Sequence, residues 1–188
     1  RSVHVHGQVS PSLLRNLEQH LSAWSIWRPD RYAPIEITAD VEHERAEPPG
    51  PIQAACGFSG GVDSSFTAYR HARGVTTRYP QPLTAGIAVH GFDIPLDETD
   101  TYAKALEKIG IQLDSLGVET IPMATNFRDF DVVWSDTFGP AVASTMMVLG
   151  RRFRRGLIAQ GVDYSAYRVL VEGSNPMTDP LLSSDSFQ

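Results

Sequence analysis

Apolar and polar positions alternate along this chain in two periods, and the switches between them mark out its elements. Val3 and Val5 alternate with His4 and His6, which predicts a short strand. Ser10-Pro11 reads as an N-cap followed by a first helical residue. The helix they open runs to about Trp24, with Leu13, Leu14, Leu17, Leu21 and Trp24 on one face. Ile35, Ile37, Ala39 and Val41 alternate with polar residues and predict a second strand. The stretch 42–51 is charged, then proline-rich, and reads as a linker. From Ile52 onward strand and helix patterns take turns. Strands are predicted over 52–58, 83–90, 118–124, 156–160 and 168–172, and helices over 63–73, 97–116 and 140–149. Asp97 is the expected N-cap of the second of these helices, and Gly150 the stop of the third.

Such alternation predicts the α/β class: an open parallel sheet with helices on both faces, a Rossmann-type three-layer sandwich. Residues 1–47 read as an accessory β-α-β segment and 52–188 as the main domain. In sheets of this kind ligands bind outside the carboxyl ends of the strands.

Composition narrows the class. The 188 residues suffice for one sizeable domain, and 41% hydrophobic with 20% charged residues is a folded rather than a disordered balance. No apolar run reaches the ~18 residues of a membrane span, so no membrane partner is expected. Cys56 is the only cysteine; an internal disulfide is excluded and a reducing, cytoplasmic setting is expected. The net charge of −6 argues against a nucleic-acid partner. The chain begins at Arg1 rather than methionine, so a fragment is expected, with the main domain truncated at its C-terminus.

The most telling motif follows the first main-domain strand: Phe58-Ser59-Gly60-Gly61-Val62-Asp63-Ser64-Ser65. Adjacent glycines at a strand-to-helix turn let backbone N–H groups approach a phosphate, toward which the new helix points its partial positive end. Ser59, Ser64 and Ser65 add hydroxyl donors, and Asp63 offers a carboxylate to Mg²⁺. No lysine lies near, so this is not a Walker A loop. The competing reading is a glycine-rich turn with Ser and Asp as helix caps.

The motif resembles the PP-loop, SGGxDS, of the N-type ATP pyrophosphatase superfamily, whose members split ATP into AMP and pyrophosphate, usually by adenylating a substrate. The resemblance implies an adenine nucleotide alpha hydrolase-like fold with ATP and Mg²⁺ as ligands. By it, the loop residues Ser59, Gly60, Gly61, Asp63, Ser64 and Ser65 hold the β- and γ-phosphates, and Asp63 binds the metal. Ile87 and Val89 on the following strand meet the adenine, with Phe58 packing beside them. Gly139, expected just before a helix at Pro140, permits close approach near the α-phosphate.

Other positions bear on the acceptor. Phe92 suits a stacking or core role, Asp93 can face substrate or metal, and Asp97 reads better as a helix cap. Arg128, after the third main-domain strand, is either a phosphate or carboxylate clamp or a surface partner of Asp129 or Asp131. The stretch Gly173-Ser174-Asn175-Pro176-Met177-Thr178-Asp179-Pro180-Leu181-Leu182-Ser183-Ser184 resembles a GS-HP-x-x-DP-L-x-S signature of uncharacterised PP-loop proteins, with Asn175 where a histidine is expected. Asp179 is the candidate second carboxylate and, with Ser59, Asp63 and Ser64, completes the expected catalytic set; a simple surface loop is the other reading. Ser144 and Thr145 are expected only to pack, and His90 to serve the core or a cap. Arg151, Arg152, Arg154 and Arg155 read as a solvated basic face that complements a helix end. His4 and His6 share one strand face, but no further ligand stands at zinc-site spacing.

Together these readings predict an ATP-dependent synthetase that adenylates a small-molecule acceptor at a carboxylate or at an amide or carbonyl oxygen. Amide or amine formation follows, with ammonia from solution or a donor protein. The alternatives are thiolation with an external sulfur donor and a non-catalytic ATP- or AMP-binding module. A homo-oligomer is expected.

Overall fold

The computed structural model describes residues 2–46, 50–161 and 170–188. The main domain is built on a four-stranded parallel sheet of β3 (Ala54–Gly57), β4 (Leu83–His90), β5 (Glu119–Ala124) and β6 (Arg155–Leu157), in the spatial order β5-β4-β3-β6. Three helices flank it: α2 (Val62–Arg73), α3 (Thr99–Leu116) and α4 (Trp134–Val148). The central strands β3 and β4 are mostly apolar, Thr84 and His90 excepted, because both of their faces are covered. On one face Cys56, Phe58 and Ala88 pack with Ala68 of α2 and with Ile109 and Leu113 of α3. On the other, Ala55, Ala85 and Ile87 pack with Met146 of α4 and with Phe153 and Phe187. Leu83 and Ala85 are two apart yet face opposite sides, because the β3–β4 register slips between Ala54 and Ala55 and inserts a bulge at Thr84. Pro122 is tolerated in β5, an edge strand pairing only with β4.

Ahead of this domain, β1 (Ser2–Val9) and β2 (Glu36–Glu42) form a separate parallel pair joined by α1 (Pro11–Trp27). Ser10 caps α1, its hydroxyl accepting the Leu13 N–H at 3.1 Å, and Pro11 stands first in the helix. Leu14, His20 and Trp24 form the buried stripe. The unit docks on the C-terminal part of the main domain. Asn16 donates to the Ser183 carbonyl at 3.0 Å, and Arg31 and Tyr32 both donate to the Asp136 carboxylate on α4.

Three expectations about elements are corrected. The third main-domain helix starts at Trp134, so Gly139 and Pro140 lie inside it rather than at its start. The pattern hid this because Trp134 and Phe138 earn helical positions through tertiary burial, although Pro140 cannot donate its i→i−4 bond. Glu98, not Asp97, occupies the N-cap position of α3, without a side-chain cap bond. Of the strand predicted over 168–172, Arg168 and Val169 lie outside the described residues, and 170–172 are not strand. No helix among the described residues is long and apolar enough to cross a membrane.

Candidate functional site

Strand order reverses at β3: the chain moves from β3 to β4 and β5 on one side, and later to β6 on the other. A doubly wound sheet opens a crevice at the carboxyl ends of the strands at such a switch point. Here a cavity of about 320 Å³ occupies it, walled by the ends of β3, β4 and β6 and by α3 and α4. That volume is within the range of small-ligand pockets.

The loop between β3 and α2 forms the polar wall. Phe58 is buried, and its N–H extends the ladder to the Ile87 carbonyl at 2.9 Å. The chain then turns at Gly60, whose φ of +78° favours glycine. Gly61 takes the N-cap position of α2 and makes no side-chain cap bond. The hydroxyls that could have capped the helix are engaged otherwise. Ser64 Oγ donates to the Gly61 carbonyl at 3.1 Å, and Ser59 Oγ accepts the Gly61 N–H at 3.4 Å. The cap reading of these residues is therefore not the arrangement found. The N–H groups of the first helical turn lack intrahelical acceptors, as in any helix, and among the described residues no side-chain cap substitutes for them. Ser59, Gly61, Asp63 and Ser64 all face the cavity. Asp63 is exposed in the first turn, and among the described residues no hydrogen bond or ion pair engages it. A methyl group at Gly161 would lie 3.3 Å from Asp63 Oδ2, so the loop after β6 runs close beside this carboxylate. Ser65 does not line the cavity; its N–H closes the first helical bond to the Gly61 carbonyl at 2.9 Å.

Ile87 and Val89 line the apolar wall and also serve the core beneath it. Phe92 and Asp93 stand on the loop after β4 at the cavity, and Asp97 does not line it. Arg128 does not line the cavity, although it touches two residues that do, and it is not paired with Asp129 or Asp131 among the described residues. Its guanidinium lies 4.6 Å over the ring of Trp134 and donates to the Phe92 carbonyl at 3.4 Å. Trp134 and Phe138 of α4 supply much of the facing wall. Both were missed in the sequence because the helix carrying them was expected to begin later. Tyr102, Ala105 and Ile109 of α3 also line the cavity, and their i, i+3, i+7 spacing was a legible signal.

Two expected site residues lie elsewhere. Gly139 is buried within α4, where a methyl group would come 1.9 Å from the Gly173 carbonyl oxygen. Its lack of a side chain serves a backbone crossing rather than a ligand. Asp179 is outside the cavity wall, held in a 3-10 turn (Asp179–Leu182). Ser174 Oγ donates to its Oδ2 at 2.7 Å, Gln160 Nε2 to the same oxygen at 2.8 Å, and the Asn175 N–H to Oδ1 at 3.0 Å. Burial pushes the Asp179 carboxyl above its usual range, opposed by these donors. Through Gln160 it anchors the loop that passes Asp63. Asn175 is buried and shapes the turn, accepting the Met177 and Thr178 N–H groups and donating to the Glu172 carbonyl.

The remaining candidates are structural in this arrangement. Ser144 and Thr145 bond back to carbonyls of their own helix. His90 is buried, stacked on Tyr102 at 4.3 Å, with Nε2 2.7 Å from the Pro95 carbonyl. Arg152 pairs with Glu119, and Arg155 donates to Gln81, at the amino ends of the strands, opposite the cavity. Cys56 is buried in β3, and burial pushes its thiol up to about 12. Comparison with protein-family models, curated proteins and solved structures finds no match to this chain.

Proposed function

We propose that the chain is an ATP pyrophosphatase-type ligase that cleaves ATP to AMP and pyrophosphate while adenylating a small acceptor for amide or amine formation. The observation that carries this reading is the start of α2 at the strand-order reversal, without a side-chain cap, with the Asp63 carboxylate beside it and unengaged among the described residues. The donor set fits a nucleotide phosphate and a hard cation: backbone N–H groups, hydroxyls and a helix N-terminus for the anion, and an exposed carboxylate for Mg²⁺. The apolar wall of Ile87, Val89 and Phe92 is chemically suited to an adenine ring.

In this scheme the N–H groups of the loop and of the first α2 turn bind the β- and γ-phosphates and stabilise the charge that builds on pyrophosphate as it leaves. Mg²⁺, held by Asp63, would supply further neutralisation of that charge. An acceptor carboxylate attacks the α-phosphorus, and a nitrogen nucleophile then displaces AMP. A carboxylate needs no general base, which agrees with a cavity wall that carries no histidine among the described residues. The Arg128 guanidinium, stacked on the Trp134 that lines the cavity, suits an anionic acceptor. The thiolation alternative would need a sulfur donor other than Cys56, whose buried thiol is held protonated.

The test is pyrophosphate release from ATP, screened over a panel of carboxylate metabolites with an ammonia source. AMP and pyrophosphate in equal amounts are expected with the right acceptor, and Asp63→Ala should lower the rate at least ~100-fold, the scale of losing one charge-stabilising group. ADP and phosphate as products would overturn the reading, and full activity in Asp63→Ala would remove the metal assignment.

A further inference from the structure

We infer that His4, His6 and Asp40 form a binding site for one borderline transition-metal ion, of the Zn²⁺, Ni²⁺ or Cu²⁺ class, on the solvent face of the β1–β2 pair. This inference is independent of the nucleotide reading. His4 and His6 share a face of β1 because side chains two apart in a strand point the same way. The parallel register sets His4 opposite Thr38 and leaves Asp40 on the same face of β2. Between Val5↔Ala39 and Gln8↔Val41 the first strand advances three residues against two, and this bulge brings His6 alongside Asp40. His4 Nε2 lies 2.9 Å from Asp40 Oδ1 and His6 Nδ1 lies 3.6 Å from Asp40 Oδ2. One donor atom from each of the three residues falls within a span of 4.8 Å.

Those separations suit one ion. Ligand atoms each ~2.0–2.1 Å from a tetrahedral centre lie about 3.4 Å from one another. A second observation concerns orientation. His4 Nδ1 lies 2.8 Å from the Thr38 hydroxyl. In this geometry Nε2–H donates to the Asp40 carboxylate, which can only accept. An ion taking Nε2 displaces that proton, and the Thr38 hydroxyl, able to accept, then holds the ring through Nδ1–H as an outer partner of a metal-bound histidine does. Two imidazoles and one carboxylate favour a borderline ion over Mg²⁺ or Ca²⁺, which take oxygen ligands. With three protein ligands, water completes the coordination. The ion would join two strands that, as a pair, have little stability of their own.

Calorimetric titration of the chelator-treated full chain with ZnCl₂ or NiCl₂ is expected to give one ion per chain and a raised melting temperature. His4→Gln and Asp40→Asn should each weaken binding at least ~10-fold, and Thr38→Val by about 10-fold through loss of the outer partner. Asp63→Ala should leave the stoichiometry and affinity unchanged. Electron spin resonance of the Cu²⁺-loaded wild type should show coupling to two nitrogens, a readout that depends on no variant folding. Absence of stoichiometric binding, equal affinity in wild type and His4→Gln, or a Cu²⁺ spectrum without nitrogen coupling would each overturn the site.

Discussion

At the scale of single residues, the same side-chain type acts differently according to what surrounds it. Asp63 and Asp179 were both legible as candidate carboxylates, yet one is exposed in the first turn of α2 and the other accepts three hydrogen bonds in a closed turn. Nothing in the local sequence separates them. The difference arises because Gln160, 19 residues upstream, reaches back to Asp179. Gly139 teaches the same lesson, since its small size answers to Gly173 across the fold. Cys56 allows a direct check. Its thiol is pushed up to about 12 by burial, so the folded protein should resist thiol-modifying reagents at mildly alkaline pH and react fully once denatured. Rapid labelling of the native chain, followed by mass spectrometry, would contradict that burial.

At the scale of elements, propensity and pattern located most helices and strands, and β4 lies where the alternation put it. Errors gathered at boundaries where tertiary contacts outvote local signals, as at the start of α4 and the end of β6. The α1 helix shows how an element is tied to the rest. Its buried His20 packs against the backbone of Thr178, and burial lowers the imidazole below its ordinary value of 6.5. His71 is lowered as well, by burial and then by Arg70. Both stay neutral in the folded chain at pH values where the unfolded chain takes up protons. Their contribution to stability is therefore complete above pH 6.5 and is lost as pH falls through the lowered folded values. Urea unfolding should show stability declining below that point, by no more than about 1.4 kcal/mol per pH unit for each histidine. His20→Leu should flatten the decline; an unchanged slope would mean that His20 does not carry its share.

Across the whole molecule, the accessory unit is coupled to the cavity wall through α4. Asp136 is buried at 2% exposure and accepts from Arg31 at 3.0 Å and from Tyr32 at 3.1 Å. Arg31→Ala would take away that carboxylate's charged partner and leave Tyr32 donating to it. Because Arg31 itself is about two-fifths exposed, water can replace part of the loss, and the expected cost is on the order of 2 kcal/mol in chemical unfolding. A change within ~0.5 kcal/mol, as for an ordinary surface substitution, would show the contact to be incidental. The sequence by itself determined the α/β class, the parallel order of strand and helix, and the glycine turn at the end of β3, because period, caps and backbone freedom are local properties. Only the tertiary structure decided that Asp63 faces the cavity while Asp179 is tied, that Trp134 and Phe138 face the cavity, and that Asp40 joins His4 and His6. Those outcomes depend on residues far apart in the chain meeting at set distances, which strand register and packing fix and no local pattern encodes.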